Sequence, residues 1–489
     1  AGGMNALARH WTRIAVTLIP LVFALLHAMG MVHLGVLQSL DDIIYDARLR
    51  ATMPRTLDDR IVIVDLDEKS LAEVGRWPWS RNRVAEMVDE LFDRQKIAML
   101  GFDVVFAEPD DSSGLKRLRQ LAQGELKDQP GFGERINQLQ PLLDYDGVLA
   151  RSLRDRAVVM GYYFTSEDRE ARASGVLPPP VMQKDALRGR PIKFTSWSGY
   201  GANIEPLAKA APTAGFFNPM VDADGVVRAV PLLAEYKDQY YESLSLAMFR
   251  GLIGGPTVEP GFPTDRTIGR DYQGLDHVRL RLGERARLVP VAEGVITLVP
   301  FRGPGGPAGG SYRYVSAADL LAKRIAPGSL QDKIVLVGTT APGLQDLRVT
   351  PVGEAYAGVE THANLLSGLL DSRIPIKPDY ALGYDLVILL LAGLTLAIGL
   401  PLLSAPRAVL LSLAVMAGVV AINAYLYLGH LLVLPLAAAL VMCLTCFALN
   451  MSYGYVVESR SKRELAHLFG TYVPPELFDE MVEDPDNYS

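Results

Sequence analysis

The residues with chemical potential gather at the ends of apolar runs. Asp65 and Asp67 close "RIVIVDLDEKSL" (Arg60–Leu71), and Asp103 and Glu108 close "KIAMLGFDVVFAEPD" (Lys96–Asp110). Gly338, Thr339 and Thr340 follow the apolar stretch Lys333–Val337. Carboxylates beside a Gly/Thr loop can hold a small cationic or polar ligand. The same residue types also serve as strand-end turns and helix caps, and the sequence alone leaves both roles open. No catalytic set accompanies them. There is no Gly-x-Ser-x-Gly elbow, no Walker loop and no His-Glu-x-x-His pair. The stretch "GRWPWS" (Gly75–Ser80) reads as a loop brace rather than a binding element.

Such residues meet only if the strands that carry them run parallel. "SRNRVAEMVDELFDRQ" (Ser80–Gln95) places Val84, Met87, Val88, Leu91 and Phe92 at helical spacing, with Ser80 as its expected N-cap. Between the two acid-tipped runs it makes a strand–helix–strand unit with parallel strands. The pattern returns in "KIVLVGTTAPGLQD" (Lys333–Asp346), a strand running into the Gly/Thr loop, and in the amphipathic "AGVETHANLLSGLL" (Ala357–Leu370). Ligands of open parallel sheets sit beyond the carboxyl ends of the strands. That rule would bring Asp65, Asp67, Asp103, Glu108, Gly338, Thr339 and Thr340 to one pocket. Between the halves, "AVVMGYYF" (Ala157–Phe164) is a strand. "GFFNPMVDADGVVRAVPLL" (Gly215–Leu233) is a hairpin turning at Asp222-Ala223-Asp224-Gly225. Gly303–Gly310 reads as a flexible Gly/Pro loop.

The chain of 489 residues has room for two or three domains. Its apolar excess is concentrated in residues 14–37 and 386–453. The net charge is −7 with no basic block, which argues against a nucleic-acid partner. The two cysteines, Cys443 and Cys446, lie inside an apolar run, so no disulfide framework and no metal site is spelled out. Ala1-Gly2-Gly3 ahead of Met4 reads as an expression leftover and is set aside.

Residues 14–37 carry no Asp, Glu, Lys or Arg and are long enough to cross a bilayer; they read as an anchor rather than a cleaved signal. Three further spans are expected within 380–403, 408–428 and 431–453, joined by very short links. Arg9, Arg13, Arg407, Arg460, Lys462 and Arg463 fall on one side. The positive-inside rule then puts both termini in the cytoplasm and residues 38–379 outside. Asp385, Asn423 and Asn450 fall near span ends and read as helix–helix hydrogen-bonding or solvated groups, and Cys443 and Cys446 as packing residues. The fold class expected is an extracytoplasmic α/β domain, mostly parallel sheet with helices, plus four transmembrane helices.

Several motifs then agree at once. "IVIVDLDEKSLAEVGRWPWSR", "GFDVVFAEPD", "DGVVRAVPL", "VPFRGPGG", "YVSAADLL", "KIVLVGTTAPGLQDLRVTPVG" and "AGVETHANLLSGLL" resemble the CHASE-type extracytoplasmic sensor domain of the second class, over about Gln38–Asp379. That resemblance implies a bacterial inner-membrane sensor with an unidentified outside ligand, feeding a cytoplasmic nucleotide cyclase or a histidine or serine/threonine kinase.

Residues 454–489 begin with a charged helix whose Val457, Ser461, Leu465 and Leu468 form a stripe suited to a parallel two-helix seam or to anionic lipid headgroups. Gly470 stops it, Pro474-Pro475 prevent its resumption, and a second short helix with apolar Leu477, Phe478 and Met481 is expected from Pro475. "FGTYVPPELFDEMVEDPDNYS" is similar to the segment that joins sensor modules to class III adenylate cyclase domains. The resemblance implies signal coupling at Val457, Leu465, Leu468, Phe469, Gly470, Tyr472, Val473, Pro475 and Leu477. It also implies a homodimeric lyase that uses Mg2+ or Mn2+ with ATP, whose catalytic residues lie outside this chain. No cofactor and no catalytic residue is expected in the chain itself. The alternatives are a sensor attached to a kinase and a non-enzymatic membrane receptor.

Overall fold

A computed structural model describes residues 2–166, 172–264, 272–344 and 346–469, with 476, 479, 482 and 483. It divides into two compact units. One holds residues 45–379 with 431–433; the other holds 1–44, 380–430 and 434–489.

The larger unit is built on an eight-stranded sheet. Its six parallel strands are β1 (Ile61–Leu66), β2 (Met99–Phe102), β3 (Val158–Thr165), β4 (Ala214–Phe216), β5 (Arg313–Ser316) and β6 (Ile334–Thr339). Their order is β5-β1-β6-β2-β3, with β4 beside the first half of β3. Gly199–Gly201 runs antiparallel along the second half of β3, and Ala173–Ser174 forms the edge. The strand–helix–strand reading of β1 and β2 holds in direction, since both run parallel. They are not neighbours, because β6 lies between them and pairs with each.

β1 is buried along its whole length, as strands covered on both faces are. Side chains alternate across a strand, and the two faces enter different cores. Ile61, Ile63, Met99, Ile334 and Leu336 pack with helices α4 (Leu244–Leu252) and α5 (Gly358–Asp371). Val62, Val64, Leu100, Phe102, Val335 and Val337 pack with α2 (Arg81–Asp89) and α3 (Tyr145–Leu153). A short helix α1 (Glu68–Val74) follows β1 directly. The result is a helix–sheet–helix sandwich, and each fully buried Val, Leu or Ile contributes about 1.5–3 kcal/mol.

Local details differ from the sequence expectation. Ser80 precedes α2 but makes no side-chain cap. Asp110, from the loop after β2, takes that place by accepting a hydrogen bond from Arg81 N at 2.7 Å. The hairpin turning at Asp222–Gly225 forms, with Gly225 in the left-handed region at φ 82°, but its first arm is only Met220–Val221, because Gly215 and Phe216 belong to the parallel strand β4. The Gly/Pro loop packs closely: a Cβ on Gly305 would lie 2.3 Å from the Tyr356 ring.

Among the described residues the smaller unit holds four helices long and apolar enough to cross a membrane, at Trp11–Ala28, Ala381–Leu402, Ala405–His430 and Ala437–Leu468. The first ends at Ala28 rather than Leu37, because Gly30 turns the chain at φ 77° and a new helix starts at Gly35. The last starts at Ala437 rather than Leu431. Residues 431–433 instead pair with Ile376 of the larger unit, and Asp41 accepts hydrogen bonds from Leu436 N and Ala437 N. The helix then continues unbroken to Phe469. Arg13 donates to Asn450 Oδ1 at 2.7 Å, Asn423 donates to the Leu434 carbonyl, and both cysteines are buried.

Candidate functional site

Chain topology singles out one point on the sheet. β6 and β2 are adjacent and parallel. The chain leaving β6 reaches α5 on one face, and the chain leaving β2 reaches α3 on the other. Where neighbouring strands exit to opposite faces, a crevice opens at their carboxyl ends. A cavity of about 470 Å³ lies there, within the 300–1,000 Å³ usual for small-molecule sites.

Its polar side comes from four short segments. Asp103 is the first residue after β2, and Thr339 is the last of β6. Thr361 and His362 sit at the start of α5. Asp346 and Arg348 flank the start of the hairpin of β7 (Leu347–Thr350) and β8 (Gly353–Ala357). Asp103 Oδ1 is 3.5 Å from His362 Nε2. Asp103 Oδ2 and Thr361 Oγ1 are buried with no hydrogen-bond partner among the described residues. Asp346 lies against the first residue of α5, where a Cβ on Gly358 would be 2.7 Å from its Oδ1. Only glycine leaves the carboxylate that space.

The electrostatics follow from burial. Asp103 is pushed well above the usual carboxylate range by burial and then by the charge of Asp346 beside it. Burial also pushes Asp346 up to about 6, against the opposing pull of Arg348, Thr339 and Asp103. Like-charged carboxyls in one site share a proton rather than ionise together. His362 is pushed down to about 4 by burial, so its ring is neutral at pH 7. The walls are apolar and aromatic. Trp77 lines the cavity and packs edge-on to Trp79 at 5.4 Å, while the Tyr163 and Phe217 rings lie 6.2 Å apart, tilted by 44°. A carboxyl pair, a neutral imidazole and two hydroxyls set in such walls form a recognition surface. No group of three His, Cys, Asp or Glu among the described residues is placed to hold a metal ion.

The seven sequence-predicted residues separate here. Asp103 and Thr339 line the cavity. The other five do not. Asp65 is buried and accepts a hydrogen bond from the Thr340 hydroxyl, so these two satisfy each other. Asp67 caps α1, accepting from Ser70 N at 2.8 Å and from the Ser316 hydroxyl at 3.0 Å. Gly338 packs under α5, where a Cβ would lie 2.4 Å from Val359. Glu108 has an exposed side chain, while its backbone carbonyl accepts from Arg81. Sequence reasoning missed Asp346, Arg348, Thr361 and His362, and it assigned Trp77 to a brace alone. The usable signal was three polar residues, Glu360-Thr361-His362, opening a helix otherwise rich in apolar residues.

Among the expected coupling residues, Val457, Leu465 and Leu468 lie on the exposed surface of the last helix, which Phe469 ends. Gly470, Tyr472, Val473, Pro475 and Leu477 lie outside the described residues.

Comparison with protein families gives one match, the CHASE2 domain, over residues 21–399. No curated protein and no solved structure matches the chain.

Proposed function

The chain belongs to the CHASE2 domain family, and from that premise we propose that it is the sensor and transmembrane transducer of an adenylate cyclase. Sensing and transduction come with the family and with the four candidate membrane helices. The observation that carries a ligand-reading role is the cavity between β6 and β2, where Thr361 Oγ1 and Asp103 Oδ2 are buried and find no donor or acceptor beyond the neighbouring Asp346 carboxyl among the described residues. Buried polar atoms without partners are costly and rare, and a ligand that supplies partners recovers that cost.

The cyclase output rests on the motif at Phe469–Leu477 and on the exposed stripe of Val457, Leu465 and Leu468 that precedes it. Class III active sites form between two catalytic domains, so the working unit in this reading is a homodimer. The distribution of Lys and Arg supports cytoplasmic termini and an outer face for residues 38–379 in a bacterial inner membrane. An outside ligand shifts the dimer between two states only by as much as it distinguishes them.

The test is cyclic AMP output of the full-length gene product in cyclase-deficient cells. Val105→Trp fills the cavity from one wall. The expected result is measurable cyclic AMP with the dependence on growth medium abolished by Val105→Trp. Absence of cyclic AMP refutes the cyclase assignment. An unchanged medium response in a normally expressed Val105→Trp protein refutes the cavity as the sensing site.

A further inference from the structure

We propose that the cavity takes a small organic amine, its ammonium group between Asp103 and Asp346 and its apolar body against Trp77, Tyr163 and Phe217. This deepens, and rests on, the reading of the cavity as the sensor's ligand site.

Two carboxyls against the single guanidinium of Arg348 leave the lining one positive charge short, which points to a cation. Two carboxyls face the cavity, and no Lys or Arg nitrogen is within ion-pairing distance of either among the described residues. The nearest titratable nitrogen of Asp103 belongs to His362, which burial keeps neutral. Arg348 lines the same cavity and its charge pulls both acids down, but it forms no ion pair with either among the described residues. An anion would meet the two acids. The amide end of α5, which would otherwise attract one, is already covered by Asp346. Among the described residues a metal ion finds no set of three His, Cys, Asp or Glu ligands. A neutral ligand leaves the two carboxyls holding one proton between them.

An ammonium group matches what is left. It displaces the shared proton, offers three donors, and can reach Asp103 Oδ2, the Asp346 carboxylate and the Thr361 hydroxyl. Charge-assisted hydrogen bonds of this kind are about twice as strong as neutral ones. The aromatic walls favour a cation further, because the ring faces are electron-rich. Tyr163, Phe217 and the aliphatic Val104, Val105 and Leu344 cover an apolar body behind it.

The test uses the purified full chain in detergent. The probes are tyramine, phenethylamine, cadaverine and choline, each against its uncharged analogue, with Mg2+ and Ca2+ as separate arms. Thermal shift and tryptophan fluorescence report binding. The expected result is a saturable shift with at least one amine, about tenfold or more tighter than its uncharged analogue. Asp103→Asn and Asp346→Asn should each weaken it by about tenfold or more, with both variants still folded. The proposal is overturned if no amine binds at millimolar concentration, if the uncharged analogues bind as well, or if neither asparagine variant weakens binding. A shift from Mg2+ or Ca2+ that both variants abolish also overturns it. None of these failures touches the sensor reading, which the cyclic AMP response of Val105→Trp decides by itself.

Discussion

Replacing Asp346 by asparagine should stabilise the ligand-free protein, although it removes a charged residue from the centre of the site. Its carboxyl is held at about 6, against an ordinary 3.8. A displacement of about two units corresponds to roughly 3 kcal/mol against the ionised form. Asp346 keeps part of its surface open to solvent, which reduces the gain to about 1–2 kcal/mol. For a unit of this size that is a rise in Tm of about 2–5 °C at pH 8.

The pH dependence supplies the sign. Asp346 and Asp103 both have folded values raised above the ordinary one. Their contribution is complete below about pH 4 and is lost as pH rises. His362 has a depressed folded value of about 4. Its contribution is complete above its ordinary value and is lost as pH falls. Between pH 4 and 6 the two acids outweigh the histidine. The site's share of wild-type stability therefore falls by about 1.4 kcal/mol per pH unit. In Asp346→Asn one acid remains against one histidine, and that slope vanishes. Thermal unfolding followed by fluorescence across pH 4.5–8 measures both quantities. An unchanged or lower Tm at pH 8, or a gain that is as large at pH 4.5 as at pH 8, refutes the reasoning.

Arg228 gives a prediction of opposite sign. Its side chain is 6% exposed, and its guanidinium is bonded to Asp46 at 2.7 and 2.8 Å and to Asp222 and Asp224 at 2.7–3.0 Å. Arg228→Leu leaves three acids facing one another and should cost about 3–5 kcal/mol, read as a fall in Tm. Gly338→Ala should cost about 1–3 kcal/mol by overpacking against Val359, and Val359→Ala in the same chain should restore part of it.

Much of this architecture was legible because it rests on local pattern. The uninterrupted apolar runs of β1 and β6 gave buried parallel strands, and the spacing of Val84, Met87 and Val88 gave α2. The order of strands was not legible. Nothing in residues 60–110 shows that β6, more than two hundred positions later, will slot between β1 and β2. The candidate site divides the same way. Asp103 and Thr339 could be placed because a strand end fixes where its next residue lies. Asp65 and Asp67 share that location, yet Ser70, three residues on, satisfies Asp67, and Thr340, at the end of the neighbouring strand, satisfies Asp65. Asp346 and His362 were missed because their meeting depends on a hairpin folding back over the sheet, a tertiary event with no period of its own.

On the proposed reading, that hairpin and α5 are the route by which occupancy leaves the site. α5 begins with the residues that touch the cavity and spans about 21 Å at 1.5 Å per residue. From its last residue, Asp371, only residues 372–380 separate it from the membrane helix starting at Ala381. Within those nine residues Ile376 exchanges two backbone hydrogen bonds of 2.8 Å with Leu431 and Val433, just ahead of the fourth span. One short segment thus joins α5 covalently to the second span and, through residues 431–433, to the connection between the third and fourth. The body of α5 is fixed by its buried apolar face, and by Asn364 and Ser367 bonded to Tyr356 and Asp58. A helix so packed moves as a unit or not at all. On the proposed reading, a ligand that compensates the Asp103–Asp346 pair acts at its first turn, where Asp346 lies against Gly358, and that is the differential contact a two-state switch needs.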